Sequence, residues 1–497
     1  MAELTPDARV HLLGSTSTST STTYDPATDV NSMYNIEQVI GARQMWAQAT
    51  GAGVDVALID SGVAPVTGLS DSGKVINGPD LSFESQSSST RYLDTFGHGT
   101  HMAGIIAGHD PGINASTAAG NSTAFLGVAP DARIISLKVA DGQGETDVSQ
   151  VIAAIDWVVQ HAHDPGFNIR VLNLSFGTDS AQAYQLDPLA YAAEVAWRSG
   201  IVVVVSAGNS GAASGRLTDP AIDPFVLAVG ADDSLGTLST RDDTIPSFSS
   251  YGDGVRNPDL VAPGAHVQSL RVIGSYIDTQ YSSTGAINDR YFRGSGTSQA
   301  AAVTSGAAAM LLQQRPGLTP DQVKAILNGT ATALPAASVQ GQGHGMVNLR
   351  GAFAAATPTV SSQPFVPSTG TGTLEGSRGS GHLVLNGVTL QGEEDIFAHA
   401  FDATAMASDE AAQASWSGGV WNGTQWTGTG LTGTSWDSVA WTGVAWDSRT
   451  WASRTWATGT WTGSSWSSGS WNSRTWAGAN WTVSGWSSRL WACGVWK

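Results

Sequence analysis

Apolar and polar segments alternate along the middle of the chain in a way that predicts strands and helices in turn. Continuous apolar runs such as "VDVALID" (54–60), "ARIISLKV" (132–139) and "IVVVVSAGN" (201–209) predict buried strands. Between them, "HGTHMAGIIAG" (98–108) and "TDVSQVIAAIDWVVQHA" (146–162) predict helices, and "TSQAAAVTSGAAAMLLQQ" (297–314) predicts a long buried one. Strands that are apolar throughout are typical of a parallel sheet covered on both sides. The pattern therefore predicts an α/β domain, a parallel sheet with helices on both faces.

A second pattern, with a period of five, occupies the C-terminal region. Of the seventeen positions from 416 to 496 in steps of five, sixteen are Trp, and Leu431 is the exception. The period fits neither a helix nor a heptad, but it fits a solenoid or tight hairpins, so it predicts a β-rich appendage. Because so many exposed rings would form an adhesive surface, the tryptophans are expected to be buried. They could dock on the rest of this chain, self-assemble into fibres, or bind a glycan, cell wall or protein partner.

Length and composition restrict the other possibilities. A chain of 497 residues predicts more than one domain. We place the boundaries at 1–29 (a leader remnant with a Ser/Thr linker), 30–357 (the α/β domain), 358–415 (a linker with a small β segment) and 416–497 (the Trp repeat). The net charge of −18 argues against nucleic acid as a partner, and no apolar run is long enough to predict a membrane span. Cys493 stands alone, which excludes an internal disulfide. It is expected to be a small filler, with an intermolecular disulfide as the alternative.

Three motifs place reactive side chains where parallel strands end or helices begin. "ALIDSG" puts Asp60 at the end of a strand, "FGHGTHMAG" puts His98 at the start of a helix, and "GSGTSQAAA" does the same for Ser298. A serine hydroxyl needs a neighbouring base to act as a nucleophile, and an imidazole needs a carboxylate to fix its tautomer. Asp, His and Ser in this order match one known arrangement of a catalytic triad. Asn209, in "VVVVSAGNSG", is a candidate side-chain donor for an oxyanion in the same crevice.

Each motif alone has a plainer interpretation. "DSG" is usually a turn, "GTS" a helix cap and "AGNSG" a loop. His98 and His101 lie three residues apart and could hold a metal, but no third ligand accompanies them. Several such motifs, in the right order and each at the end of a predicted strand or the start of a predicted helix, favour catalysis.

The segment from about 30 to 357 resembles the subtilisin-like serine peptidases, or subtilases. The resemblance is carried by "VALIDSGV", "GHGTHMAGIIAG", "GVAPDARIISLKV", "VLNLSFG", "VVVVSAGN", "FSSYG", "PDLVAPG" and "GTSQAAA". It implies a catalytic triad of Asp60, His98 and Ser298, with Asn209 as the oxyanion donor. It further implies that Ser175–Gly177 pair with the substrate backbone, with Phe176 beside the pocket for the residue before the cut.

The resemblance also implies how the protein is used. We expect a secreted serine endopeptidase that cleaves proteins through an acyl-enzyme, needs no cofactor for catalysis and carries structural calcium as many subtilases do. The start "LTPDARVHLLG" weakly resembles the end of a removed inhibitory propeptide, which favours export although no signal peptide is visible. Gln299 stands where the family usually has Met. The alternative is a structural, adhesive or fibre-forming protein whose peptidase domain serves only its own maturation.

Overall fold

A computed structural model describes residues 24–427, except 86, 88, 360, 361, 386 and 387, together with the strand at 481–484. Cys493, most of the expected leader remnant and most of the Trp repeat lie outside these residues. Statements below concern the described part of the chain.

A seven-stranded, wholly parallel sheet forms the centre of the molecule, with strand order β2-β3-β1-β4-β5-β6-β7. Side chains of the inner strands, such as the run Val202–Ser206, are buried on both faces, as the apolar runs predicted. The strands are β1 (Asp55–Asp60), β2 (Val75–Asp80), β3 (Arg133–Lys138), β4 (Ile169–Leu174), β5 (Val202–Ser206), β6 (Leu227–Asp232) and β7 (Leu260–Pro263).

Helices cover the sheet in two groups. α3 packs against α7, and α4 packs against α5, while members of both groups also contact the sheet. This arrangement confirms the predicted α/β class with helices on both faces. The helices are α1 (Met33–Val39), α2 (Ala42–Met45), α3 (His98–Ala107), α4 (Val148–His161), α5 (Pro188–Arg198), α6 (Tyr276–Gly285), α7 (Thr297–Gln314), α8 (Pro320–Thr330), α9 (Val339–Gln342), α10 (Leu349–Ala354), α11 (Leu374–Arg378) and α12 (Ala403–Ala411). Among the described helices, none has both the length and the apolar character needed to cross a lipid bilayer.

Small antiparallel sheets complete the described structure. One joins β8 to β9, one joins β11, β10 and β15, and one is formed by β12, β13 and β14. Their bounds are β8 (Val267–Leu270), β9 (Tyr291–Gly294), β10 (His382–Leu385), β11 (Val388–Thr389), β12 (Trp416–Ser417), β13 (Val420–Trp421), β14 (Thr424–Gln425) and β15 (Trp481–Ser484). The range 358–415 thus contains the expected β segment, and also α11 and α12, which the sequence pattern did not predict.

The first three members of the Trp repeat form two tight hairpins. Two-residue turns at 418–419 and 422–423 have positive φ throughout, which suits type I′ turns. Trp416 lies opposite Trp421 in the antiparallel register, and Trp421 lies opposite Thr424. Since side chains alternate along a strand, Trp426, two residues after Thr424, belongs to the same face. The hairpin alternative is therefore the one that these residues adopt, and it gathers three rings on one face.

This tryptophan face packs on helix α4. The indole N–H of Trp416 donates to the carbonyl of Ala153 at 2.8 Å, and that of Trp421 donates to the Asp156 carboxylate at 2.7 Å. Trp426 packs edge-on against Trp421, with ring centroids 5.1 Å apart. All three rings are buried. The hairpins therefore form part of the outer layer over α4.

Candidate active site

The carboxyl ends of the central strands bring the predicted catalytic residues to one edge of the sheet. Asp60 is the last residue of β1, and Asn209 follows β5. β4 lies between these two strands, and neighbouring strands are about 4.8 Å apart, so the two strand ends are separated by roughly 10 Å. His98 begins α3, and Ser298 is the second residue of α7, which packs against α3.

Asp60 and His98 form a buried hydrogen-bonded pair. His98 Nδ1 lies 2.8 Å from Asp60 Oδ1 and 2.9 Å from Oδ2, and both side chains are almost completely buried. Because an ionised carboxylate can only accept, Nδ1 must carry the proton. The other ring nitrogen, Nε2, is then the basic one, as general-base catalysis by this imidazole requires.

Ser298 occupies the N-terminal turn of α7. Its hydroxyl is buried and has no hydrogen-bond partner among the described residues, so the structure shows no bond between this hydroxyl and His98. Buried hydroxyls normally have a hydrogen-bond partner, and a catalytic role is one explanation for a hydroxyl that has none. Nucleophile–base hydrogen bonds are often long without substrate. The start of a helix also presents free backbone N–H groups and a positive dipole end to an incoming anion.

Asn209 is oriented by the residue next to Ser298. The backbone N–H of Thr297 donates to Asn209 Oδ1 at 3.0 Å, and the Thr297 hydroxyl lies 3.1 Å from the same oxygen. Since a backbone N–H can only donate, this contact fixes which end of the amide is the oxygen. The amide nitrogen Nδ2 is left buried without a partner in the described structure. The side chain therefore offers an unused donor beside the start of α7.

The predicted substrate-binding edge follows β4. Ser175 Oγ accepts a hydrogen bond from Asn173 Nδ2 at 3.0 Å, which fixes the edge to the end of the strand. A Cβ at Gly177 would lie only 2.5 Å from Thr218 Oγ1, so glycine is required by close approach. The Phe176 side chain is fully buried in the hydrophobic core. Its role beside a substrate pocket stays a prediction, and in this conformation it could act only through its backbone.

Sequence analysis missed a second carboxylate that supports this site. Asp94 Oδ2 accepts from the backbone N–H of Thr100 at 2.7 Å, and Oδ1 accepts from the Ser61 hydroxyl at 2.8 Å. The Ser61 hydroxyl in turn accepts from Gly99 N. Burial raises the pKa of Asp94, and the hydrogen bonds from Thr100 oppose that rise. Asp94 thus connects the first turn of α3, which carries His98, to the end of β1. Its position four residues before that histidine was the available signal.

No third metal-ligating side chain joins His98 and His101 in the described part of the chain. Burial lowers the pKa of His101 to about 3, so the ring is neutral. Across the part of the chain described, no group of three or more His, Cys, Asp and Glu side chains comes together as metal ligands. A calcium ion there would need backbone carbonyls, amide oxygens or water beside one or two carboxylates, and no step of the chemistry is derived through one.

The chain is similar in sequence to a family of peptidases and to several of its members. The model of the subtilase family of peptidases matches residues 51–345. Serine protease AprX of Bacillus subtilis (strain 168) is 41% identical over 288 residues, which are 56% of this chain and 62% of AprX. Subtilisin Savinase of Lederbergia lenta is 34% identical over 294 residues, covering 59% of this chain and 89% of its own length. A crystal structure of a cold-adapted subtilisin-like serine proteinase is 30% identical, with 60% and 88% coverage and a TM-score of 0.44.

The family model spans more than half of the chain and includes the strand end that carries Asp60 and the helix starts that carry His98 and Ser298. The chain belongs to the subtilase family.

Proposed function

We propose that the protein is a secreted serine endopeptidase that hydrolyses peptide bonds through an acyl-enzyme. The observation that carries the proposal is the Asp60–His98 pair, whose contact at Nδ1 leaves Nε2 as the base. Ser298 offers a buried hydroxyl at the start of α7, the helix that packs against the His98 helix α3. Family membership and the AprX and Savinase relatives support the same reaction class.

The first half-reaction forms the acyl-enzyme. His98 Nε2 takes the hydroxyl proton of Ser298 as Oγ attacks the scissile carbonyl carbon. Asp60 holds the imidazole in place and stabilises the imidazolium that forms. The negative charge that develops on the carbonyl oxygen is met by Asn209 Nδ2 and by the N-terminal end of α7. His98 then protonates the leaving amine, and the peptide bond breaks.

The second half-reaction regenerates the enzyme. A water molecule gives a proton to His98 Nε2 and attacks the ester carbonyl of acylated Ser298. Collapse of this second tetrahedral intermediate releases the carboxylic acid, and His98 returns the proton to Ser298 Oγ. The same oxyanion donors serve both steps. We propose that the backbone of Ser175–Gly177 aligns the substrate as an added β-strand.

The wider setting of the enzyme is proposed on family grounds. Protein and peptide substrates, an extracellular location and structural calcium are properties that the resemblance implies. For the Trp repeat beyond residue 427, docking on the peptidase, self-assembly and binding of glycan or cell wall all stay predictions, because these residues lie outside the described structure. Trp416, Trp421 and Trp426 support docking for the first three repeats only.

The test uses casein and a fluorophosphonate probe with the purified full chain. We expect the wild type to hydrolyse casein and to be labelled at Ser298, and Ser298→Ala to do neither. The matched control is Ser305→Ala on the same helix, whose hydroxyl donates to Asn173, and which should keep both. Labelling without casein hydrolysis would contradict the endopeptidase proposal and favour self-maturation, whereas loss of neither property in Ser298→Ala would contradict the assigned nucleophile.

A further inference from the structure

Residues 373–380, in the C-terminal part of the described chain, contact the two loops that flank β1, the strand that ends at Asp60. In the sheet, β1 lies between β3 and β4. The loop 139–147 follows β3 and the loop 175–187 follows β4, so these loops rise on either side of Asp60, at the end of β1. Helix α11 and the residues around it, 373–380, lie beyond the part of the chain matched by the family model. We call residues 373–380 the α11 brace.

The first contact of the α11 brace is a buried ion pair. Arg378 Nε donates to Asp147 Oδ1 at 2.8 Å, and Nη2 lies 3.3 Å from Oδ2. Both side chains are completely buried. Asp147 is the N-cap of α4 and accepts from the backbone N–H of Ser149. Arg378 therefore fixes the point at which the loop 139–147 enters α4.

The remaining donors of Arg378 are also occupied. Nη1 donates to the carbonyl of Gly392 at 2.7 Å and lies 3.4 Å from Glu375 Oε2, and Nη2 donates to the carbonyl of Glu394 at 2.5 Å. A planar guanidinium can reach a carboxylate and two carbonyls at once, which an ammonium group cannot do in the same geometry. The site therefore requires arginine in particular.

The second set of contacts joins the α11 brace to the loop after β4. The hydroxyl of Thr178, one residue beyond the predicted substrate edge, donates to the carbonyl of Ser377 at 2.6 Å. The backbone N–H of Ser380 donates to Asp179 Oδ1, also at 2.6 Å. Between them, Gly379 has a positive φ, and a Cβ there would lie 2.3 Å from the same carboxylate oxygen. The contact is thus close enough to exclude any larger residue at 379.

We propose that the α11 brace sets the separation of the two loops and thereby positions the groove for an extended peptide, with Arg378 as a positioning residue. The inference rests on the proposed peptidase function, because it concerns how that site holds its substrate. Arg378 binds one side of the groove and Ser377, Gly379 and Ser380 the other, so one short helix links both walls. None of the atoms of the brace belongs to the catalytic triad, so the reacting groups should stay in place when the link is loosened.

The experiment compares a long and a short substrate. One is a peptide amide with at least four residues before the scissile bond, and the other is an ester of a single blocked amino acid. The variants are Arg378→Lys and the double variant Asp147→Asn/Arg378→Met. The double variant removes both charges, avoiding an unpaired buried carboxylate, and Asn remains a good N-cap. The matched control is Arg43→Lys. Arg43 is equally buried, pairs with Glu37 and donates to main-chain carbonyls. It belongs to α2 and its carboxylate partner belongs to α1, and neither helix carries a residue of the site.

For both brace variants we expect KM for the peptide to rise by about tenfold, with kcat and the rate of fluorophosphonate labelling changed by less than about threefold. Both brace variants should hydrolyse the ester at the wild-type rate. Arg43→Lys should keep the wild-type ratio of peptide hydrolysis to ester hydrolysis. Equal losses on peptide and ester, or unchanged KM in both brace variants, would overturn the inference. If the wild type hydrolyses neither substrate, the proposed function itself fails. If it hydrolyses both and only the expected selectivity is missing, the inference alone fails.

Discussion

The peptidase body, residues 51–345, and the C-terminal segment, residues 362–427, are held in place by different kinds of interaction. In the body, long apolar runs such as β5 and α7 are buried almost without exception. In the C-terminal segment, short elements are attached by individual polar contacts over long distances in sequence. Arg378 pairs with Asp147, 231 residues away, and Trp421 donates to Asp156, 265 residues away.

The body and the C-terminal segment are thus specified by different features of the sequence. A periodic pattern specifies the body, because each apolar position contributes to one continuous core. The C-terminal segment depends on single residue pairs, each satisfying a buried polar group that would otherwise be costly to leave unpaired. Loss of a catalytic or core residue of the body should therefore abolish chemistry or folding, whereas changes in the segment should alter stability, its pH dependence or the binding of a long substrate.

The largest effect is expected from Asp60→Asn in the body. An asparagine would favour the wrong imidazole tautomer at His98, and we expect kcat to fall by about 10⁴, as the corresponding change does in another serine peptidase. The measurement is steady-state hydrolysis of a peptide amide, with thermal unfolding as the control for folding. A loss of less than tenfold in a folded variant would contradict the assignment of Asp60.

A large effect on stability is expected from Trp421→Ala in the C-terminal segment. The ring is fully buried, and its removal should lower the free energy of unfolding by about 3–5 kcal/mol. Calorimetry would measure the loss, and activity per folded molecule should change little. Trp421→Phe keeps an aromatic ring but removes the hydrogen bond to Asp156. Its free energy of unfolding should therefore fall by less than that of Trp421→Ala. An unchanged melting temperature in Trp421→Ala would show that the hairpins do not dock in solution.

A smaller effect, with a defined pH dependence, is expected at the acidic pair beneath these hairpins. Burial raises the pKa of Asp156 to about 7, and burial together with the charge of Asp156 raises the pKa of Glu410. Asp409 adds to both shifts. Since the folded pKa values lie above the unfolded ones, the folded state favours the protonated acids. The contribution of this pair to stability is therefore fully present below about pH 4 and is lost as the pH rises through 7.

Glu410→Gln tests this linkage. The neutral amide should raise the free energy of unfolding by ~1–2 kcal/mol at pH 8, with little change at pH 4. Unfolding curves at the two pH values measure it, and Asp289→Asn, an exposed carboxylate in the loop before β9, provides the control for a general change of charge. Equal effects of Glu410→Gln at both pH values would contradict the proton linkage.

Much of the body could be predicted because its signals are periodic. The apolar runs predicted β1, β3 and β5, and "TSQAAAVTSGAAAMLLQQ" coincides with α7. β2 was missed because "VINGPD" contains Gly78 and Pro79, which strands usually avoid. The strand tolerates them because it is at the edge of the sheet, where a missing N–H breaks no ladder.

The C-terminal contacts could not be predicted because their residues suggest a different environment. In the sequence, Asp156 and Gln160 occupy polar positions in the second half of an amphipathic helix, where acids and amides normally face water. In the structure, Asp156 accepts from an indole, and Gln160 accepts from the backbone N–H of Trp416 at 2.7 Å. Arg378 likewise suggests an exposed cation, but it is fully buried. The three residues proposed as a triad could be selected from the sequence because each lies in a local motif. The orientation of Asn209 depends instead on a contact with Thr297 that only the fold creates.

The smallest effect is expected from Asp232→Asn, which asks whether the body contains the same kind of proton linkage. Asp232 and Asp243 are buried together, and their carboxyl groups lie within hydrogen-bonding reach of each other, so that one proton can be shared between them. Burial and the charge of Asp243 raise the pKa of Asp232, and burial raises that of Asp243 to about 6. The folded state thus favours the protonated acids, and the contribution of this pair to stability should fall as the pH rises from 4 through 6. Asp232→Asn should raise the free energy of unfolding by ~1 kcal/mol at pH 8 and leave it unchanged at pH 4. A melting temperature lowered by Asp232→Asn, and lowered equally by EDTA in the wild type, would contradict the shared proton and identify a cation between the two carboxylates.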